Sequence, residues 1–121
     1  MAKFMVLYVS KVPASERMAS ASPEDMKASM EEWMSWKDKT SKTVDVDFGM
    51  PLQVVNSITA EGVGEGHTPV SGYAILEGDS KGTIIEALRD HPHLKVPGNA
   101  IEVLEFLSMP GLDEFIESQS Q

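Results

Sequence analysis

Between Val70 and His93 the chain reads VSGYAILEGDSKGTIIEALRDHPH, and this stretch limits the fold more than any other. Tyr73 and Ile75 alternate with Gly72, Ala74 and Leu76, the period of a β-strand. Asp79 or Ser80 is placed to cap a helix. Ile84, Ile85 and Leu88 then make a helical stripe that stops at Pro92. One strand therefore feeds one amphipathic helix, and a second strand–helix pattern at the start of the chain repeats the unit.

That first unit begins with residues 3–9, where Phe4, Val6 and Tyr8 alternate with Met5, Leu7 and Val9. Both faces are apolar, so this strand needs cover on both sides. One layer would be helix and the other a second subunit. Residues 10–22 are a polar connection, with a helical turn expected around Glu16 to Ala19. Ser22-Pro23-Glu24-Asp25 is a helix start: a side-chain acceptor, proline at the first helical position, and acids at the positive helix end. The helix should run from 23 to about 40 and bury a stripe of Met26, Met30, Trp33 and Met34, widened by Trp36. Trp33 or Trp36 can also wall a ligand, and Lys37 lies on the same face, its stem running past the rings or its ammonium entering a cleft.

Residues 44–49 alternate again, Val44, Val46 and Phe48 against Asp45 and Asp47. Gly49-Met50-Pro51-Leu52 bends the chain, and Leu52 to Ala60 forms the next strand candidate. Residues 61–69, EGVGEGHTP, read as a glycine-rich turn region. They lack the lysine–serine ending and the spacing of a phosphate loop. Ala100 to Leu107 is the last strand, and Leu112, Phe115 and Ile116 have helical spacing in a segment that should dock on its own subunit or a neighbour's.

The expected order is β-α-β-β-β-α-β. Its simplest assembly is α+β: a ferredoxin-like split β-α-β unit with an extra hairpin strand, an antiparallel sheet with two helices on one face. The domain would occupy 1–110, with 111–121 a C-terminal extension carrying the short amphipathic segment. Two helices leave the other sheet face bare, with side chains such as Tyr73, Met5 or Phe4, and Phe106. Pairing two such faces gives a homodimer, and a rim cleft would take a small apolar or aromatic ligand.

Composition narrows the function. The 121 residues suffice for one domain with a core of its own. There is no cysteine, which excludes a thiol nucleophile, a disulfide and an iron–sulfur site and fits a cytoplasmic protein. The net charge is −9: residues 1–42 hold seven basic and six acidic side chains, residues 43–121 three and thirteen. No basic patch exists for nucleic acid. The apolar run Phe4 to Val9 reads as a strand rather than a leader, and nothing approaches a membrane span.

Few side chains suggest chemistry. His91 and His93 lie just beyond a helix, where the dipole favours a protonated ring. Their H-P-H spacing can bring two rings to one ligand, yet a metal needs a third ligand and often a fourth; His67, Asp45, Asp47 or Glu65 could supply it, but nothing in the sequence brings them together. The plainer reading is a helix cap and a solvent-facing loop. His67 sits in the glycine-rich loop and reads as exposed. Asp45 and Asp47 share a strand face about 6.5–7 Å apart, a spacing that suits paired carboxylates, but no sugar cleft accompanies them. Tyr8 and Tyr73 stand on strands and each needs a hydroxyl partner if buried. No serine lies in a nucleophile elbow. No catalytic residue is assigned: His91, His93 and Asp47 are the candidates. Tyr8, Trp33, Trp36, Lys37, Asp47, Tyr73 and His91 are the candidate ligand contacts, with no metal and no cofactor expected.

Several pieces together resemble the YCII-related family, small domains named for a DGPF motif. KFMVLYV resembles its opening strand and SPEDMKASMEEWMSW its first helix. FGMPLQ resembles its bend, SGYAILEGDSKGTIIEAL its strand–helix and AIEVLEF its closing strand, so the likeness spans about residues 3–107. It implies a ferredoxin-like fold that dimerises through its sheets as a dimeric α/β barrel, with a small-ligand or enzymatic role. The chain departs from the family where GEGHTPV replaces the DGPF segment. It also has no histidine before His67, so the histidine–aspartate pair of the small members has no counterpart.

The residues and the resemblance together suggest a dimeric small-molecule-binding or accessory domain. A cofactor-independent enzyme of the lyase or monooxygenase type, using His91 or His93 as base, is the alternative, and an interaction module built on 112–116 is a third.

Overall fold

A computed structural model describes residues 2–119. Strand β1 (Ala2–Val9) is followed by helices α1 (Ala14–Ser20) and α2 (Pro23–Thr40), then strand β2 (Asp45–Asp47). A hairpin, β3 (Asn56–Thr59) and β4 (Gly62–Glu65), precedes the long strand β5 (Val70–Gly78). Helix α3 (Lys81–Leu88), a 3-10 turn (Pro92–Lys95), strand β6 (Ala100–Glu105) and helix α4 (Leu112–Gln119) complete the order. The fold is α+β, with one four-stranded antiparallel sheet in the order β2-β5-β1-β6.

The helix starts follow their sequence signals. Ser22 Oγ accepts the Asp25 N–H at 3.0 Å and Ser80 Oγ the Thr83 N–H at 3.3 Å. Helix α2 covers 23–40 as the pattern predicts. The expected turn near Glu16 is a longer helix, Ala14–Ser20.

The methionine stripe is a correction. Trp36 and Thr40 are buried and Trp33 half-buried, while Met26, Met30 and Met34 are exposed. The sheet meets α2 along Trp33, Trp36, Lys37 and Thr40, an i, i+3, i+4, i+7 face. Met30 and Met34 lie on its flank, and the first two turns, with Met26, extend past the packed layer.

The segment 52–69 is a second correction. No strand runs from Leu52 to Ala60. Asn56–Thr59 pairs instead with Gly62–Glu65, inside the expected turn region, as a separate two-stranded sheet. The extra hairpin therefore adds nothing to the main sheet. Alternation alone could not show this, because period 2 does not say which strand is the neighbour.

Each face of the sheet carries one half of the alternation. Phe4, Val6 and Tyr8 of β1, with Ala74 and Leu76 of β5, face the helices and form the core with Trp36, Val44, Ile84 and Leu88. The register sets Ile75, Met5 and Leu104 side by side on the opposite face, and Tyr73 beside Leu7. None of these reaches full burial, and Leu104 and Phe106 are nearly half exposed. Acids edge this surface: Asp45, Asp47, Glu77 and Glu102 share it with one base, Lys3, which sits 5.4 Å from the Phe106 ring centre.

The bend after β2 is a bulge. Asp47 pairs with Ile75, whereas Pro51 bridges to Gly72, so β2 gains one residue on β5. Gly49 absorbs it at φ +67°, and a Cβ there would stand 2.0 Å from the Tyr73 carbonyl oxygen. Only glycine fits.

The expected C-terminal segment is helix α4. No residue of it is buried; Phe115 is 61% exposed. Ser120 and Gln121 of the expected 111–121 extension lie outside the described residues. No described helix is long and apolar enough to cross a membrane.

Candidate functional site

The sequence candidates divide between the two sides of the sheet. Tyr8, Trp33, Trp36, His91 and His93 gather on the helix side. Tyr73 and Asp47 face the bare side. Lys37 is also on the helix side, its ammonium 5.7 Å from the ring centre of Phe48, which packs against the core. Asp47 Oδ1 accepts the Gly49 N–H at 3.3 Å, which ties this exposed carboxylate to the bulge.

His91 and His93 correct the expectation of a solvent-facing loop: they are 1% and 3% exposed. The helix ends at Leu88, and His91 caps the 3-10 turn by accepting the His93 N–H on Nδ1 at 2.9 Å. An acceptor at Nδ1 leaves the proton of a neutral ring on Nε2, which donates to Tyr8 Oη at 3.1 Å. Around this ring pack Trp36 at 4.3 Å, Trp33 at 4.5 Å nearly perpendicular, and Tyr8 at 5.0 Å between ring centres. Trp36 is held by its own donation from Nε1 to the Ala87 carbonyl at 2.9 Å, which joins α2 to α3.

His93 spans two strands. Its Nε2 lies 2.9 Å from the Val9 oxygen and 3.1 Å from the Ala100 oxygen, so Nε2 carries the proton and shares it. Val9 and Ala100 are partners at one end of the β1–β6 ladder. The imidazole closes that end where the strands separate. Asn99 Nδ2 supports it, donating to the His93 carbonyl at 3.1 Å and lying 3.4 Å from Nδ1.

Burial decides the protonation of both rings. It pushes His91 down to about 3, with His93 adding to the effect and Asp90 opposing it. Burial also lowers His93, which Arg17 reinforces, while the Val9 and Ala100 carbonyls work the other way. The favourable helix-end field expected from sequence is outweighed by desolvation. Burial raises the Tyr8 hydroxyl further above the usual phenol range.

The chemical consequence is specific. A neutral imidazole has one lone pair available to take a proton. In His91 that pair accepts a backbone N–H. In His93 it faces Asn99, inside the fold. A general base must reach a substrate proton directly or through one water. These rings fasten strands and the turn after α3 instead.

The surface beside this cluster is an open groove of about 550 Å³ between α2 and the 3-10 turn, floored by Trp36 and Pro92. Two ion pairs fence it: Lys95 Nζ with Glu32 at 2.7 Å, and Lys39 with Asp90, which the Lys39 ammonium holds below the usual carboxylate range. All four side chains are largely exposed, so each pair contributes little. His67 is exposed, as expected. No cluster of histidine, aspartate and glutamate able to hold a metal occurs among the described residues.

Sequence reasoning missed Asn99 and the strand-bridging part of His93. The partners of that ring are 84 and 7 residues away, and no local period reports a contact of that kind. The Pro97-Gly98-Asn99 turn was the available signal, since asparagine in a turn often bonds nearby backbone. No family model matches the chain, and no curated protein is significantly similar to it.

Proposed function

We propose that this chain works as a homodimeric small-molecule-binding or accessory domain, in which a second copy covers the bare sheet face. One observation carries the reading: rows such as Ile75–Met5–Leu104 and Tyr73–Leu7 set apolar side chains together on the face opposite the core, and every one of them stays partly exposed. A patch of this kind on a soluble domain marks an interaction site, and two-fold pairing is the commonest solution. The order β2-β5-β1-β6, with a helix in the β1–β2 and β5–β6 connections, supports a ferredoxin-like arrangement and, with it, the YCII-related resemblance and a dimeric barrel. The ligand would be small and apolar or aromatic, held between the two sheets against Tyr73, with Asp47 at the rim. Tyr8, Trp33, Trp36 and His91 lie across the sheet and serve the fold. The commitment of both imidazoles to internal bonds weighs against an enzyme with a histidine base.

Sedimentation of the wild type and of Ile75→Glu tests the assembly. The wild type should run as a dimer at micromolar concentration and the variant as a monomer with unchanged far-UV dichroism. A monomeric wild type would sink the reading. For the ligand, indole titrated into the dimer should move the NMR signals of the Tyr73 ring and the Met5 methyl and leave Trp36 unmoved. No movement would remove the binding half of the proposal.

A further inference from the structure

Strands β3 and β4 form a hairpin that leaves the main sheet between Leu52 and Val70. All eight of its strand residues are exposed. Ile58 and Val63 are directly opposed on one of its faces, at 77% and 70% exposure. Its neck is shaped closely: a Cβ on Gly66 would stand 2.4 Å from Val54 Cγ2, so this glycine lets the returning strand lie against the outgoing one. An isolated two-stranded hairpin is at best marginally stable in water. Here an ordered ladder holds up two large apolar side chains with nothing over them.

We infer that this hairpin is an arm received by a second copy of this chain. The inference rests on the sheet-to-sheet dimer proposed above and adds to it a specific contact. Four strands about 4.8 Å apart and about six residues long at roughly 3.3 Å each make a face of about 400 Å². A stable interface needs nearer 800 Å² per partner. The footprint of the bare face alone is therefore small for a stable interface. The segment leading into the hairpin is tied to that sheet by the isolated Pro51–Gly72 bridge and the Leu52 N–H to Ser71 carbonyl bond of 2.9 Å. The hairpin sits between the Pro51 bridge and the start of β5, so its root lies at the edge of that sheet. Ile58 and Val63 are the anchors it brings, and both edges of its ladder are open to a further strand.

Two measurements test the arm. The first is the dissociation constant, by sedimentation, of the wild type and of the double variant Ile58→Glu/Val63→Glu. A rise of tenfold or more is expected. The second needs no substitution: hydrogen exchange of amides 56–65 in the wild type, well above and well below the dissociation constant. Protection should appear only at the higher concentration. A wild-type dimer whose constant the double variant leaves unchanged, or whose hairpin amides are equally protected at both concentrations, overturns the arm and leaves the sheet-to-sheet dimer standing. A wild type that stays monomeric at micromolar concentration overturns both. If the double variant does not fold, the exchange experiment decides alone.

Discussion

At His91, two hydrogen bonds and three aromatic neighbours meet on one side chain, and its neutrality is a condition of the site. That neutrality fixes the sign of the pH effect. In the unfolded chain the ring titrates near 6.5, and in the fold near 3. Below 6.5 the unfolded state takes a proton that the folded state refuses. The stabilisation is thus complete above 6.5 and declines as pH falls toward 3, at no more than about 1.4 kcal/mol per pH unit for this ring. His93, also lowered, acts with the same sign. His91→Phe keeps the ring packing but orphans the His93 N–H. It should cost about 1–3 kcal/mol at pH 7.5, an unmet buried donor. Urea unfolding at pH 7.5 and pH 4.5 should show the gap to wild type narrowing at the lower pH; a constant gap would contradict the assignment.

At the level of elements, the starts of α2 and α3, the bend at Gly49 and the alternating faces of β1 and β5 were all legible in sequence, because each depends on neighbours a few residues away. Gly49 gives the sharpest test. Gly49→Ala puts a Cβ on a residue held at φ +67° and 2.0 Å from the Tyr73 carbonyl oxygen. Thermal unfolding should reveal a loss above about 2 kcal/mol, from the backbone and overlap together. What could not be read locally was pairing. The strand expected over 52–60 alternates well enough, yet it turns back on residues 62–65 rather than joining β2. Met26, Met30 and Met34 looked like core because their spacing is helical, but only the position of the sheet decides which half of α2 is covered. Helix α4 provides the converse case: the sequence predicted it, and the structure leaves it without a buried residue. Deleting residues 111–121 should leave the midpoint of thermal unfolding unchanged, and a clear drop would mean α4 supports the domain.

For the whole molecule, charge and apolar surface compete on one face. The sheet's outer side carries Asp45, Asp47, Glu77 and Glu102 against Lys3, so in the proposed dimer the two copies would repel at their rims while their apolar centres attract. Added salt screens the first effect, within about 10 Å at 0.1 M, and leaves the second. The proposed dimer should therefore tighten between 20 and 300 mM sodium chloride, about severalfold by the same screening argument. A weakening would show that ion pairs, rather than apolar contact, hold the copies. Of the candidate site, the residue types were legible but their grouping was not. Tyr8 and Tyr73 look equivalent in sequence, one on each apolar strand, and the sheet separates them onto opposite sides.

The place of β1 between β5 and β6 has a further consequence for how the protein is made. Of the four strands of this sheet β1 is made first, and it has no neighbour to pair with until Val70–Gly78 has been synthesised, while its other side waits for Ala100–Glu105. Throughout that interval Phe4, Val6 and Tyr8 stand on a sticky, unmatched ribbon, the form in which nascent chains attract chaperones or one another. Within this sheet, the strand made first is the one that waits longest for both of its partners.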